Sequence, residues 1–265
     1  MNSIWLYVRI FGQLLYRDIY AFRKQIKSFA INYMLVAPLV YSINYGYLMP
    51  NSGMINPTPE AGTIFFLGSL LQVLISPSLG LAFGVFFDTQ HTKLLQYQMT
   101  FAPLSLIILE RIFFFSIVTF VFIGPYYVIA KWLLGSYLAT AHAQWWLIML
   151  VMYLGMLFFS AFSLFFIFYI EGVHQVGNLF DRFIFPMLQL GGLRMPFSVF
   201  LEYSLVLGIL VAFNPMMHLT EALRKAMLGG DTFMPYYVSI TGILFASALF
   251  AFLAIRYAYK RLDAV

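Results

Sequence analysis

The sequence predicts an all-α polytopic membrane protein, and three observations lead there. Of 265 residues, 62% are hydrophobic and only 9% charged, with a mean hydropathy of +0.87. Soluble domains carry about 25% charged residues, so nothing remains for a sizeable soluble domain. Five apolar runs, residues 29–48, 62–87, 112–130, 145–170 and 236–255, are each long enough to cross a bilayer as a helix. Lys and Arg are also unevenly placed around these runs. With both termini inside, only Lys131, Arg194, Arg224 and Lys225 of the 15 basic residues fall outside. That bias favours an even number of spans, six, with cytoplasmic ends.

The first element, within residues 1–27, lies before any span. Ile4, Val8, Phe11, Leu15, Ile19 and Phe22 recur every three or four residues, with Arg9, Gln13, Arg17 and Lys24 opposite. This pattern predicts an amphipathic helix lying along the cytoplasmic leaflet. Asp18 sits at the edge of the stripe, and Leu6 and Ile10 fall on the wrong side. Two roles are open for it, a juxtamembrane anchor and a moving part in gating. A long basic segment precedes the first apolar run, so no cleavable signal is expected.

Spans one to five are assigned to residues 29–195. The loop 49–61 contains Pro50, Pro57 and Pro59 but no Lys or Arg, which fits the outer face. The connection FDTQHTKLLQYQMTFAPLSLIILERI, residues 87–112, predicts a short cytoplasmic helix around residues 91–99, ended near Pro103. Glu110 and Arg111 follow just inside the next apolar run. Such a pair is either a functional group at depth or an interfacial pair snorkelling to water. Trp132, Trp145 and Trp146 flank the next loop as an aromatic belt would. Residues 171–182 form a second cytoplasmic connection.

The fifth span, residues 183 to about 195, is the weakest. Pro186 interrupts it, and Asp181, Arg182 and Arg194 bound it. It reaches spanning length only if it begins near Val176, with Asp181 and Arg182 inside its cytoplasmic end. Next come residues 196–213, apolar apart from Glu202, and then FNPMMHLTEALRKAMLGG, residues 213–230. In that stretch Asn214 is a good N-cap, Pro215 suits the first helical position, and Gly229 and Gly230 supply a stop. The helix between them is too short and too charged to cross a bilayer. Residues 196–230 are therefore expected to be a broken, re-entrant helix pair on the outer face, with a seventh span over 197–213 as the rival reading. Glu221 is placed to pair with Arg224 or Lys225 at the outer interface. The last span, 236–255, completes one transmembrane domain covering residues 1–265.

Motifs for catalysis are missing. There is no phosphate-binding G-x-x-x-x-G-K-[ST] loop and no HExxH, and His91, His142, His174 and His218 are scattered. Without cysteine there is no disulfide, thiol nucleophile or thiolate metal site. The net charge of +5 follows topology, which argues against nucleic acid as a partner. The 30 Phe and 18 Tyr residues suit lipid packing and interfacial belts. An aromatic-lined pathway for sugar rings or an amphipathic lipid is the alternative.

These residues, in this order, resemble the permease subunits of ABC-2 type transporters. The resemblance covers essentially the whole chain. It rests on Asn214, Pro215, Glu221 and Arg224, which match an NP-x-x-x-x-x-E-x-x-R segment followed by Gly. FPMLQLGGLRMP, residues 185–196, and LLQYQMTFAPLSLIILERI, residues 94–112, resemble that family's fifth span and coupling region. The family implies six spans, an N-terminal interface helix and two re-entrant extracellular helices before the last span. It also implies a bacterial inner membrane location with cytoplasmic termini. By the same resemblance, His91, Lys93, Leu94, Leu95 and Pro103 would couple the chain to a cytosolic P-loop ATPase subunit. Asn214, Pro215, Glu221 and Arg224 would gate the outer end, and Glu110 and Arg111 would mark the start of span three. Family coupling helices often begin with a charged pair, whereas Asp88, His91 and Lys93 stand here around Gln90 and Thr92. The chain itself would hold no cofactor, since ATP and magnesium would be used by the partner. Two permease copies, most simply a homodimer in the lipid bilayer, would form an export pathway. The expected cargo is a lipid-linked glycan or lipid, with a hydrophobic drug, or an ATPase-independent secondary transporter, as alternatives.

Overall fold

In the computed structural model, the described residues are 3–48, 52, 58–91, 94–172 and 174–262. Among them every regular element is helical. Five helices, Ile26–Asn44, Pro59–Thr89, Leu104–Tyr137, Trp145–Tyr169 and Tyr236–Leu262, are long and apolar enough to cross a membrane. They coincide with the five runs read from hydropathy. The protein is an all-α polytopic membrane protein.

Helix α1 (Ser3–Phe22) packs on the third span, with Phe11 against Phe113 at 5.9 Å and Phe22 against Phe114 at 6.1 Å between ring centroids. Its packed face differs from the apolar stripe of the sequence. Leu14, Asp18 and Phe22 are buried, whereas Val8 and Ile19 stay open. Asp18, at the stripe's edge in the sequence, is central to the packed face because it has a buried partner there.

Helix α2 (Ile26–Asn44) is the first span, and it widens into π-helical turns on both sides of Ala37–Tyr41. Pro38 offers the reason for the first of these. Its ring clashes with the carbonyl four residues back and it brings no N–H, so the preceding turn opens rather than breaks. Helix α3 (Pro59–His91) is the longest, about 50 Å from end to end. Pro77 lies inside it, with Ser76 and Ser78 donating back to the carbonyls of Gln72 and Leu74. The short α4 (Leu94–Gln98) follows. His91 closes α3 rather than opening the short helix, because the helical run continues unbroken from the second span. Lys93 lies outside the described residues.

Helix α5 (Leu104–Ile123) runs through Gly124 and Pro125 into α6 (Tyr126–Leu134). Helix α7 (Trp145–Tyr169) is central: Phe158, Phe159 and Phe162 are wholly buried, and Phe250 of the last span packs at 5.0 Å from Phe162. Residues 175–190 form α8, with a π-helical turn (Phe180–Ile184) ahead of Phe185–Leu190. Pro186 widens this helix as Pro38 widens α2. The helix starts at Gln175, as the longer reading of the fifth span required, yet it ends at Leu190 and remains short for a span.

Beyond it the chain turns at Gly191 and Gly192, then forms α9 (Phe197–Tyr203) and α10 (Leu205–Ala212). Ser204, in extended conformation, separates these two helices, so residues 197–213 are not one continuous span. Helix α11 (Pro215–Leu228) bends 93° away from α10. Asn214 caps it as expected, accepting from the Met216 N–H at 3.0 Å, and Gly229 stops it at φ 71°. Helix α12 (Tyr236–Leu262) completes the bundle beside α7.

Candidate functional site: buried polar clusters at the two ends of the second span

Two groups of charged side chains are buried at opposite ends of α3. One meets the Ile64 carbonyl, and the other lies around Gly84 and Asp88, twenty residues on. At 1.5 Å per residue they stand about 30 Å apart, the thickness of a hydrocarbon core.

The first cluster joins α1, α4 and α5. Arg111 Nη1 lies 2.7 Å from Asp18 Oδ2, and Arg17 Nη2 lies 2.6 Å from Asp18 Oδ1. With its amide oriented to face Arg17, the Gln98 oxygen accepts from both terminal nitrogens of that guanidinium. Arg17 therefore bridges a carboxylate on α1 and an amide on α4. Glu110 is 0% exposed and feels the charges of Asp18, Arg111 and Arg17; no N–H or O–H group donates to its oxygens, and its close neighbour is the Asp18 carboxyl. Arg111 is only 9% exposed. Neither member of the Glu110–Arg111 pair snorkels to water: α5 begins at Leu104, and this places the pair in its second turn under α1.

Helix α4 has two faces. Leu95 and Gln98 are buried, whereas Tyr97 is 69% exposed and pairs edge-on with the exposed ring of Phe101 at 6.0 Å. Leu94 is half-buried and Pro103 exposed. Of the residues expected to couple outward, Leu95 thus serves packing, and the outward apolar surface belongs to Tyr97 and Phe101. Their exposure could not be read from the sequence, where Leu94 and Leu95 are the more hydrophobic pair.

The termini-proximal end is also fastened by Arg261 of α12. Its guanidinium donates to the Ile167 and Ile170 carbonyls at 2.7 and 2.9 Å and stacks over Phe86 of α3 at 5.0 Å. These are the unpaired last carbonyls of α7, satisfied by a cation at the negative end of the helix. Helix α1 and the end of α12 therefore lie at the same end of the bundle.

The second cluster is built on α11. Glu221 and Arg224 are 0% exposed and 3.3 Å apart. Arg224 donates to the carbonyls of Gly192, Met195 (3.2 Å) and Ile64 (3.2 Å). Glu221 accepts the N–H groups of Phe197 at 3.1 Å and Met234 at 3.3 Å. The pairing is at i+3, and both side chains are enclosed by protein instead of facing outward. The pair is sealed inside protein, because the turn after α8 and the starts of α3 and α9 all direct backbone groups at it. Lys225 instead lies 3.9 Å from the exposed Asp231 and over the Tyr236 ring.

Small residues permit this convergence. A Cβ on Gly192, whose φ is 84°, would meet Thr220 Oγ1 at 2.4 Å and Arg224 Nη1 at 3.0 Å. One on Gly68 of α3 would meet the Leu193 carbonyl at 2.0 Å. Thr220 donates to the Gly191 carbonyl at 2.9 Å, and the Asn214 amide donates to Met187 at 2.7 Å. One short helix thereby fixes the whole turn after α8.

Groups of three or more His, Cys, Asp or Glu side chains able to hold a metal are absent among the described residues. In comparisons of the chain with protein-family models, curated proteins and solved structures, nothing matches.

Proposed function

We propose that this chain is the membrane-spanning permease subunit of an ATP-binding-cassette exporter of the ABC-2 type. Two copies would form the pathway, and a separate cytosolic P-loop ATPase would bind and hydrolyse magnesium-ATP. The observation that carries this reading is the polar bridge from α4 through Arg17 and Asp18 to Arg111. An ATPase pressing on Tyr97 and Phe101 would displace α4. Gln98 would then pull on Arg17 and α1, and the buried Asp18–Arg111 pair would carry that pull to the start of the third span. A buried charge cannot lose its partner without a large loss of electrostatic energy. In this reading residues 196–230 are the re-entrant segment, bent between α10 and α11, and α11 closes the outer end. Export would move cargo from the α1 side to the α11 side, with both termini in the cytoplasm of a bacterial inner membrane. The apolar surface and the lack of ionisable groups in the middle of the first, second, fourth and sixth spans suit an amphipathic cargo, a lipid-linked glycan or lipid before a hydrophobic drug.

A second reading draws on Glu110. A buried carboxyl beside a second one, with no donor group to its oxygens, is what a proton- or ion-coupled transporter would use inside a span. Vesicle transport separates the two. With a co-purified ATPase, cargo movement should require ATP and survive collapse of the proton gradient. Transport by the isolated chain driven by an ion gradient alone would remove the first reading in favour of the second.

A further inference from the structure

We infer that the junction of α1 and α2 binds the phosphate head group of an anionic phospholipid through Lys24 and Lys27. Asp18 is the only acidic residue before Glu60, and it is buried between Arg17 and Arg111. The remaining bases of this region, Arg9, Arg23, Lys24 and Lys27, are exposed, and among the described residues no carboxylate pairs with them. A positively charged surface with no counter-ion among the described residues is suited to an outside one.

The local shape narrows the occupant. Lys24, Lys27, Ser28, Ile31 and Asn32 line an open groove of about 460 Å³ where the turn after α1 enters α2. The two ammonium groups offer charge, while the Ser28 hydroxyl and Asn32 amide offer directed donors for phosphate oxygens. Asn32 is an exposed amide on a helix otherwise suited to hydrocarbon, which is costly unless a polar group meets it. One turn further along, Ile31 and Leu35 are exposed and α2 is the least covered of the spans, 11% buried. An acyl chain can lie there while its head group stays at the lysines. A diacyl lipid satisfies both halves of the groove, whereas a soluble phosphate satisfies only one. The inference rests on the assignment of this end to the cytoplasmic leaflet, whose anionic lipids attract basic juxtamembrane segments.

The test uses the purified, delipidated full chain titrated with dioleoylphosphatidylglycerol or dioleoylphosphatidylcholine, with bound lipid counted by native mass spectrometry. Each lysine near a charged head group contributes about fivefold, so phosphatidylglycerol should be retained more than about fivefold over phosphatidylcholine. The K24Q/K27Q variant should lose that preference, and Asn32→Leu should weaken it at unchanged charge. R9Q/R23Q, with the same charge removed elsewhere, should keep it. All these side chains are exposed, so the variants leave the packed core alone. Equal retention of the two lipids by the unaltered chain would overturn the proposal. So would equal loss in the two double variants, which would mean diffuse attraction, or displacement of the lipid by millimolar glycerol 3-phosphate, which would mean a soluble phosphate site. Failure of the permease reading would appear instead as no complex with an ATPase, which this binding does not use.

Discussion

Arg111 on the third span and Asp18 on the first helix are held at 2.7 Å, although the whole of the first two spans separates them in sequence. The contact makes α1 part of the bundle instead of a lipid-bound appendage. Glu110 beside it makes the two partners unequal. Arg111→Gln leaves Asp18 and Glu110 facing Arg17 alone, whereas Asp18→Asn leaves Arg111 a carboxylate in Glu110. Arg111→Gln is therefore expected to cost about 3–5 kcal/mol and Asp18→Asn distinctly less. Thermal unfolding of the purified protein in detergent gives the order, and equal losses would mean that Glu110 does not compensate.

Tyr97 on α4 and Phe101 in the turn after it offer exposed apolar surface, while Leu95 on that helix is buried. Tyr97→Ala and Phe101→Ala are expected to leave stability within about 0.5 kcal/mol, as exposed substitutions do. Each should weaken ATPase binding by about 2 kcal/mol, roughly thirtyfold. Leu95→Asp should behave oppositely, unfolding the segment before any effect on coupling can be read. Pull-down affinity alongside melting temperature separates the two cases.

Glycine positions give a contrast of sign. Gly192→Ala forces a side chain into a left-handed backbone against Thr220 and Arg224, and a loss of about 1–3 kcal/mol is expected from the backbone alone. Gly12→Ala, mid-helix in α1 with open space around its Cβ position, should gain about 0.5–1 kcal/mol. The two melting temperatures should move in opposite directions.

Arg224→Met keeps much of the side chain's length but leaves Glu221 as an unpaired buried carboxylate. It also leaves three carbonyls without their donor. A loss of about 3–5 kcal/mol is expected, with faster proteolysis within residues 191–204, which this side chain anchors. Removing both charges with E221L/R224M should recover part of the loss. A double variant no better than the single one would mean that the backbone contacts, rather than the charge pair, hold the segment.

The sequence made the bundle legible because apolar length is a local property. All five strong runs are helices of spanning length, and the Asn214 cap and Gly229 stop lie where residue chemistry placed them. The environments of the charges were not legible. Asp18 looked marginal on its own helical wheel because its partner is supplied by α5. The enclosure of Glu221 and Arg224 was hidden because the carbonyls around Arg224 come from Ile64, Gly192 and Met195. Pro186 was readable as an interruption, yet it widens α8 into a π-helical turn without ending it. The misread charges concern contacts between segments distant in sequence, which periodicity cannot carry.

The longest helix is tied at both ends, by the carbonyl that Arg224 grips and by the aromatic ring beneath Arg261. Between the two ties Pro77 removes one rung of its backbone ladder, and Ser76 and Ser78 loosen the neighbouring ones. A member pinned at its ends and weakened at mid-length behaves as a strung bow. Bending at mid-length is therefore the least costly deformation open to this helix, since its end contacts can stay in place while its weakened turns give.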